Sequence, residues 1–340
     1  MIHLEPWALA AGLGVAAALA PWATVLTLGA LAALSGGPWE VPGDLQGLGS
    51  IWVLIPTLAL AVVAMLVHTR QLAWGIWELL HVPVRLVLPP LLLLLALSGP
   101  PGGPRADPSE LGGALLLTVS ASVLVVLLRW GWTISGEAKG RRAPHESVRG
   151  AALLAMVAAG LSLALVFQAV FTGAVVVVLA GAAVFTSGPA LRVAPMAPRL
   201  VQGLAVALGG GEGWRAGTDL PRWLRDDGEG ERNPGPDIRG TPAILYSGGE
   251  DGELRAGWLV VRRGAPTFLF RSPARVWEVD LAAAVPWRDR SNGAAPPNRL
   301  LQRIRLVHQD REVVLATSRG GPSADRIRSE FGSGSGAANL

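Results

Sequence analysis

Residues 151–186 read AALLAMVAAGLSLALVFQAVFTGAVVVVLAGAAVFT, a run of 36 residues without a charged side chain. A helix needs about 20 apolar residues to cross the hydrocarbon core of a bilayer, so the run is too long for one crossing. We expect two helices that turn near residues 168–173. Four further apolar stretches, at residues 7–34, 51–68, 77–97 and 111–132, complete a predicted bundle of five or six transmembrane helices.

The first apolar stretch is interrupted at Pro21. It fits either one kinked span or two half-helices that form a re-entrant pair. A cleaved signal peptide is a weaker alternative, because no Lys or Arg precedes the apolar run. The only small-residue cleavage site, Ala18-Leu19-Ala20, is followed by Pro21, which is an unfavourable context for cleavage.

The composition separates this chain from ordinary soluble proteins. It is 51% hydrophobic and 16% charged, and its mean hydropathy is +0.42, whereas a soluble domain carries about 25% charged residues. The absence of Cys excludes disulfides and Cys-ligated metal sites. The net charge of +4 is too small to indicate a nucleic-acid partner. No catalytic or metal motif occurs, so we expect no enzyme activity, no cofactor and no metal.

The Arg and Lys residues of short loops predict the orientation in the membrane. Segments 69–85 and 135–149 carry a basic excess and are expected on the cytoplasmic face of the membrane. Segments 35–50 and 99–110 lack such an excess and are expected outside. With six spans, the tail that follows the last helix then lies in the cytoplasm.

Glu78, His81 and Arg85 follow the spacing i, i+3, i+7 and therefore share one face of a helix. Ionisable side chains at membrane depth are costly, which makes the three a candidate ion or substrate site. The alternative is that they lie at the cytoplasmic headgroup level, with Arg85 extending outward. Lys139 is a fourth candidate, although the loop 135–142 that carries it also fits a positive-inside anchor.

Small residues recur every four positions in two predicted helices, and such rows allow helix backbones to approach closely in a bilayer. The rows are Ala10, Gly14 and Ala18 in the first stretch and Ala151, Ala155 and Ala159 in the last one. We expect them to serve packing within the chain or contact with a partner subunit.

Three motifs carry a resemblance to a known family: GLGVAAA at 12–18, WELLHVPVR at 77–85 and SGEAKGRR at 135–142. Residues 5–187 resemble a family of uncharacterised bacterial multi-helix integral membrane proteins, and the resemblance implies a transporter-like module. Members of that family tend to carry a Glu and an Asp-Lys pair near the end of the second helix. Here the matching stretch 64–70 reads AMLVHTR, without a carboxylate, which puts an ion-transport role in doubt.

The second half of the chain changes pattern. Residues 188–237 are rich in Gly, Pro and charge and are expected to form a linker with a short amphipathic helix near 200–208. Short β runs between turns follow over residues 238–331, closed by a helix from an N-cap at Ser323. This order resembles the architecture of a pleckstrin-homology or GRAM-type barrel, without a shared motif. Residues 332–340 are predicted to be disordered.

The predicted strands are 243–246, 254–262, 267–270, 275–281, 301–308 and 312–317. Five arginines on or beside them form a candidate basic face towards lipid headgroups or a partner: Arg255, Arg262, Arg263, Arg303 and Arg305. The alternative is that alternate arginines mark the solvent side of half-buried strands.

Together these patterns favour a non-enzymatic scaffold or accessory subunit of a larger inner-membrane complex. Its expected partners are the lipid bilayer and other membrane protein subunits. The alternative is a transporter of a small solute or ion that uses the face of Glu78, His81 and Arg85. An enzyme acting on lipid ranks last, because the sequence supplies no nucleophile with an adjacent base.

Overall fold

Two compact units make up the chain in a computed structural model. The helical unit comprises residues 1–129 and 143–188, and the β unit comprises 130–142 and 189–340. The structure describes residues 4–34, 41, 43–67, 71–98, 107–139, 147–200, 213–216, 219–225, 238–247, 253–262, 264–272, 275–286, 301–309, 311–318 and 321–333.

In the described residues of the first part of the chain, six α-helices are present: α1 (Leu4–Leu19), α2 (Pro21–Ala33), α3 (Ile51–Val67), α4 (Gln71–Leu97), α5 (Pro108–Ala138) and α6 (Val148–Thr186). A 3-10 segment, Gly43–Gly49, precedes α3. Among the described residues, three stretches are long and apolar enough to cross a membrane: Leu80–Leu97, Pro108–Ala138 and Val148–Val184. The helical character expected of this part is therefore confirmed, and the three candidate spans support the expected membrane association.

Two single residues interrupt the regular helices. Ala20 separates α1 from α2 with a backbone φ of −148° and ψ of 84°. Pro21 has no N–H group, so it cannot continue the hydrogen-bond ladder of α1. In α6, Gln168 has a φ of −148° and a ψ of 68°, and two helical segments meet there at a kink. Gln168 lies where the sequence predicts the change of direction.

The first row of small residues packs α1 closely against α5. The hydroxyl of Thr118 donates to the carbonyl of Ala10 at 3.2 Å, and the hydroxyl of Ser122 donates to the carbonyl of Gly14 at 3.2 Å. A Cβ at Gly14 would lie only 2.9 Å from the carbonyl oxygen of Thr118. Ala10, Gly14 and Ala18 therefore serve packing within the chain. The row at Ala151, Ala155 and Ala159 is half-buried.

The β unit is built on one antiparallel half-barrel sheet. Its strands are β1 (Arg215–Ala216), β2 (Ile238–Ser247), β3 (Leu254–Arg262), β4 (Ala265–Ser272), β5 (Arg275–Asp280), β6 (Val285–Pro286), β7 (Leu301–His308) and β8 (Arg311–Ser318). The order is β5-β4-β3-β2-β8-β7-β6, and β1 pairs with β2. All six predicted strands are confirmed, while β1 and β6 are too short to give a periodic pattern.

Both faces of the sheet carry a core. On one face, helix α9 (Ala324–Ser333) buries Ile327 and Phe331 against Leu259, Phe268 and their neighbours. The N-cap predicted at Ser323 is confirmed, because its hydroxyl accepts a hydrogen bond from the N–H of Arg326 at 3.2 Å.

The other face is covered by residues from the expected linker. Leu220 and Leu224 pack on Trp258 and Val260, and Leu224 lies in the short helix α8 (Arg222–Arg225), which follows α7 (Gly188–Val193). These leucines are apolar enough to fold part of the linker onto the sheet. The amphipathic helix expected near 200–208 lies almost wholly outside the described residues, as do residues 334–340 of the expected disordered tail.

Replacing Gly14 with Leu is expected to separate α1 from α5 and to destabilise the protein by about 1–3 kcal/mol, because overpacking displaces backbone. The measurement is thermal unfolding of the purified protein in detergent. Gly160→Leu is the matched control, since Gly160 is exposed in the middle of α6 and a Cβ atom added there would meet nothing within 4 Å. Equal losses in both variants would contradict close α1–α5 packing.

Candidate functional site

The break between α1 and α2 leaves backbone carbonyls without their helical donors. In a continuous helix the carbonyl of Ala18 would accept from Trp22, and that of Leu19 from Ala23. The break at Ala20 interrupts this ladder. Buried carbonyl groups need other donors, and two arginines supply them.

Arg85 of α4 and Arg129 of α5 reach these carbonyls. Arg85 Nη1 donates to the carbonyl of Ala18 at 3.1 Å, and Arg129 Nη1 donates to that of Leu19 at 3.4 Å. Their other terminal nitrogens converge on one carboxylate. Arg85 Nη2 lies 3.0 Å from Glu78 Oε1, and Arg129 Nη2 forms a second ion pair with the same oxygen. We name Glu78, Arg85 and Arg129 the arginine–glutamate cluster.

This cluster lies inside the helical unit. The exposed fractions of the three side chains are 5% for Glu78, 7% for Arg85 and 8% for Arg129. Two guanidinium groups and one carboxylate leave a net charge of +1. The Nε atom of each arginine is buried and has no hydrogen-bond partner among the described residues.

His81 belongs to the same site and is held by two tryptophans. Its Nε2 accepts a hydrogen bond from the indole N–H of Trp22 at 2.9 Å. Its Nδ1 lies 2.8 Å from the backbone carbonyl of Trp77. Because an indole nitrogen only donates and a carbonyl only accepts, the imidazole carries its proton on Nδ1 and is neutral in this arrangement.

A cavity of about 80 Å³ adjoins these residues. Its wall includes Arg85, Arg129 and His81, together with Ala20 and Trp22 at the start of α2. Apolar side chains from α3 and α6 form much of the remaining surface: Ala61, Ala64, Met65, Ala151, Leu154 and Ala155. The polar groups thus meet a small space with an otherwise apolar wall.

The helical spacing of Glu78, His81 and Arg85 brings them together as expected. The alternative placement, with Arg85 extending to the headgroups, does not match the burial of its side chain. Sequence reasoning missed Arg129. One feature of the sequence could have indicated it: Arg129 is a single arginine near the end of the apolar run of α5. An ionisable residue in such a run is costly in a bilayer, so it usually has a function and a partner of opposite charge.

Lys139 does not belong to the arginine–glutamate cluster. It lies in the β unit, just after the end of α5, where its ammonium group is 5.8 Å from the ring centroid of Tyr246. In the same segment, Glu137 is buried and accepts a hydrogen bond from the backbone N–H of Leu301 at 2.8 Å.

The expected basic face is divided between the two faces of the sheet. The strand register pairs Arg255 with Leu245, which belongs to the core beneath α9. Arg262, Arg303 and Arg305 occupy the opposite parity and the opposite face. The four described arginines therefore do not form one basic surface, because Arg255 lies on the opposite face of the sheet from Arg262, Arg303 and Arg305. Arg263 lies outside the described residues.

Two of these arginines have acidic neighbours. Arg255 lies 2.6 Å from Glu253, and its hydrogen bond lowers the pKa of that carboxyl group below the ordinary value. Arg305 lies 3.7 Å from Glu312. Arg255 also covers the ring of Phe270, with 4.8 Å between its guanidinium carbon and the ring centroid. These contacts favour a structural role for both arginines.

No known protein-family profile matches the chain, and no curated protein sequence matches it. The resemblance of residues 5–187 to an uncharacterised membrane family and the likeness to a pleckstrin-homology or GRAM-type barrel stay predictions. Among the described residues, no group of three or more His, Asp or Glu side chains could hold a metal ion.

His81 is expected to carry its proton on Nδ1 at pH 8. In protein with ¹⁵N-labelled histidine, the Nε2 resonance should have the shift of an unprotonated nitrogen, and His81→Gln assigns it by its disappearance. Trp22→Phe should move that resonance because it removes the indole donor. Trp223→Phe is the control and should leave it unchanged, whereas a protonated Nε2 in the wild type would contradict the arrangement.

Proposed function

We propose that the protein is a non-enzymatic scaffold or accessory subunit of a larger complex in the bacterial inner membrane. The helical unit anchors it in the bilayer, and the β unit docks a partner subunit on the cytoplasmic side. Two features support this role: the apolar helices and an exposed aromatic surface at one edge of the sheet.

The observation that carries the proposal is the exposed surface of β5, which is an edge strand of the sheet formed by the described residues. Val276 is 41% exposed and Trp277 is 51% exposed. The Trp277 ring stacks on Phe270 of β4, with centroids 6.5 Å apart and planes inclined by 13°. An edge strand presents unpaired backbone groups that can pair with another chain. A half-exposed tryptophan on such a strand is typical of residues that dominate binding energy at interfaces.

We propose five or six membrane crossings. In α6, the segments 148–167 and 169–186 on either side of Gln168 have rises of about 30 Å and 27 Å, so each matches the thickness of a bilayer core. Both segments pack on α1, because Leu165 lies beside Gly12 and Gly173 lies beside Ala8. A change of direction at Gln168 would return the chain to the side from which α6 starts.

A cytoplasmic β unit is consistent with the contact between Glu137 and Leu301. The end of α5 is predicted inside from the basic residues of segment 135–149. Because β7 begins beside Glu137, the sheet would share the side of the bilayer on which α5 ends. These two observations support the proposed orientation.

Cysteine labelling tests this orientation, because the chain has no Cys of its own. Ser109→Cys is expected to react with a membrane-impermeant maleimide in intact spheroplasts. Arg311→Cys, in an exposed position of β8, is expected to react only after permeabilisation. The reverse pattern would place the β unit outside and exclude cytoplasmic docking.

Trp277→Ala is expected to weaken the association with a stoichiometric partner about 30-fold, which corresponds to about 2 kcal/mol for an aromatic anchor. The measurement is affinity purification in native lipid followed by native mass spectrometry. Val285→Ala on the opposite edge strand is the matched control, since Val285 is 63% exposed. A monodisperse wild-type monomer without a partner in native lipid would contradict the accessory role.

The second candidate is a transporter of a small solute or ion. The cavity beside His81 and Arg85 favours it, because transporters bind substrates beside broken helices within the membrane. Flux into proteoliposomes should then fall in Glu78→Gln and in Arg85→Ala. Unchanged flux in both variants would remove these residues from a transport mechanism.

A further inference from the structure

The arginine–glutamate cluster has one more positive charge than negative charge. Arg85 and Arg129 share a single carboxylate, that of Glu78. The carbonyls of Ala18 and Leu19 orient dipoles towards the guanidinium groups but supply no full counter-charge. An uncompensated charge in a buried site costs several kcal/mol. Among the described residues that line the adjoining cavity, none is acidic.

The cavity also lies at the positive end of a helix. Residues 20–23 line it, and they form the start of α2. The first N–H groups of a helix have no partners within that helix, and the helix dipole places a partial positive charge there. Helix α2 has 13 residues, and no side chain caps its first turn. Such an end binds anions where a second positive group is present.

The arginine side chains provide the second, independent observation. Both line the cavity, both are more than nine-tenths buried, and the Nε–H of each is buried without a partner among the described residues. A space of about 80 Å³ exceeds the roughly 10–15 Å³ that one water molecule requires. A small oxyanion therefore fits the size, the charge and the donors of this cavity.

We propose that this cavity binds one anionic group of the phosphate type, held by Arg85, Arg129 and the start of α2. The group comes either from free phosphate or from an anionic lipid headgroup that reaches the cavity. This anion site is independent of the proposed accessory role, because that role was argued from the β unit. If the protein is instead a transporter, the site implies that the transported solute is an anion.

Binding is measured on the full chain in nanodiscs of zwitterionic lipid, by equilibrium dialysis with radiolabelled inorganic phosphate at constant ionic strength. The expected result is one site per chain. Arg129→Gln should weaken binding at least 10-fold, because it neutralises the cluster. Glu78→Gln should strengthen binding about 10-fold, because it raises the net charge to +2. Glu5→Gln, at an exposed position of α1, is the control and should change nothing.

The opposite signs of these effects separate anion binding from a purely structural role. A structural cluster predicts that Glu78→Gln and Arg129→Gln are equally harmful, and that result would overturn the proposal. Where Glu78→Gln does not fold, Arg129→Lys replaces it. This variant keeps the charge and should retain more binding than Arg129→Gln; equal binding by the two would overturn the proposal.

Nanodiscs that contain phosphatidylglycerol distinguish the two sources. A headgroup in the cavity should compete with the labelled phosphate in the wild type. Without any free phosphate, it should also raise the unfolding temperature of the wild type but not of Arg129→Gln. An absence of competition in these discs assigns the site to free phosphate. No saturable binding of either source would refute the site, while partner association through Trp277 would remain as a separate measurement.

Discussion

The helical unit depends on two buried ion pairs, Arg85–Glu78 and Arg129–Glu78, which α4 and α5 form beside the break between α1 and α2. Arg85 comes from α4 and Arg129 from α5, and both meet Glu78 while donating to the end of α1. Removing Glu78 would leave two buried guanidinium groups without a carboxylate, and breaking a buried ion pair in this way costs about 3–5 kcal/mol. The cluster therefore couples the position of α1 to those of α4 and α5. The break at Ala20 can exist inside the bundle because its carbonyls have donors.

Outside this cluster the helical unit has the distribution of apolar and charged side chains that is expected in a bilayer. Large apolar side chains such as Leu116, Phe171 and Val178 point away from the unit and are 66–70% exposed. The charges of the cluster, in contrast, are buried. This distribution of apolar and charged side chains is the reverse of that in a soluble protein, and it fits hydrocarbon as the surrounding medium. Close helix contacts rely on small residues such as Gly14, as expected where lipid offers no hydrophobic driving force between helices.

The β unit has the distribution of side chains that is expected of a domain folded in water. Successive side chains along its strands point to opposite faces of the sheet, and each face buries a separate hydrophobic core. Helix α9 covers one core, and the leucines near α8 cover part of the other. The half-barrel leaves β5 and β6 as the end strands of the described sheet. Exposed aromatic surface on β5 is costly in water unless another molecule covers it, and this connects the architecture to the proposed accessory role.

The sequence alone determined the two kinds of structure in this chain. Hydrophobic runs of sufficient length predict apolar helices, and alternation with turn residues predicts the six long strands and the helix after Ser323, because both patterns are local. The spacing of Glu78, His81 and Arg85 was likewise sufficient to place them on one face. Only the tertiary structure brought Arg129 from α5 to Glu78, divided the basic residues between two faces, and folded Leu220 and Leu224 onto the sheet. These contacts join residues that are far apart in the chain, and no local periodicity encodes which distant charge or apolar group becomes the partner.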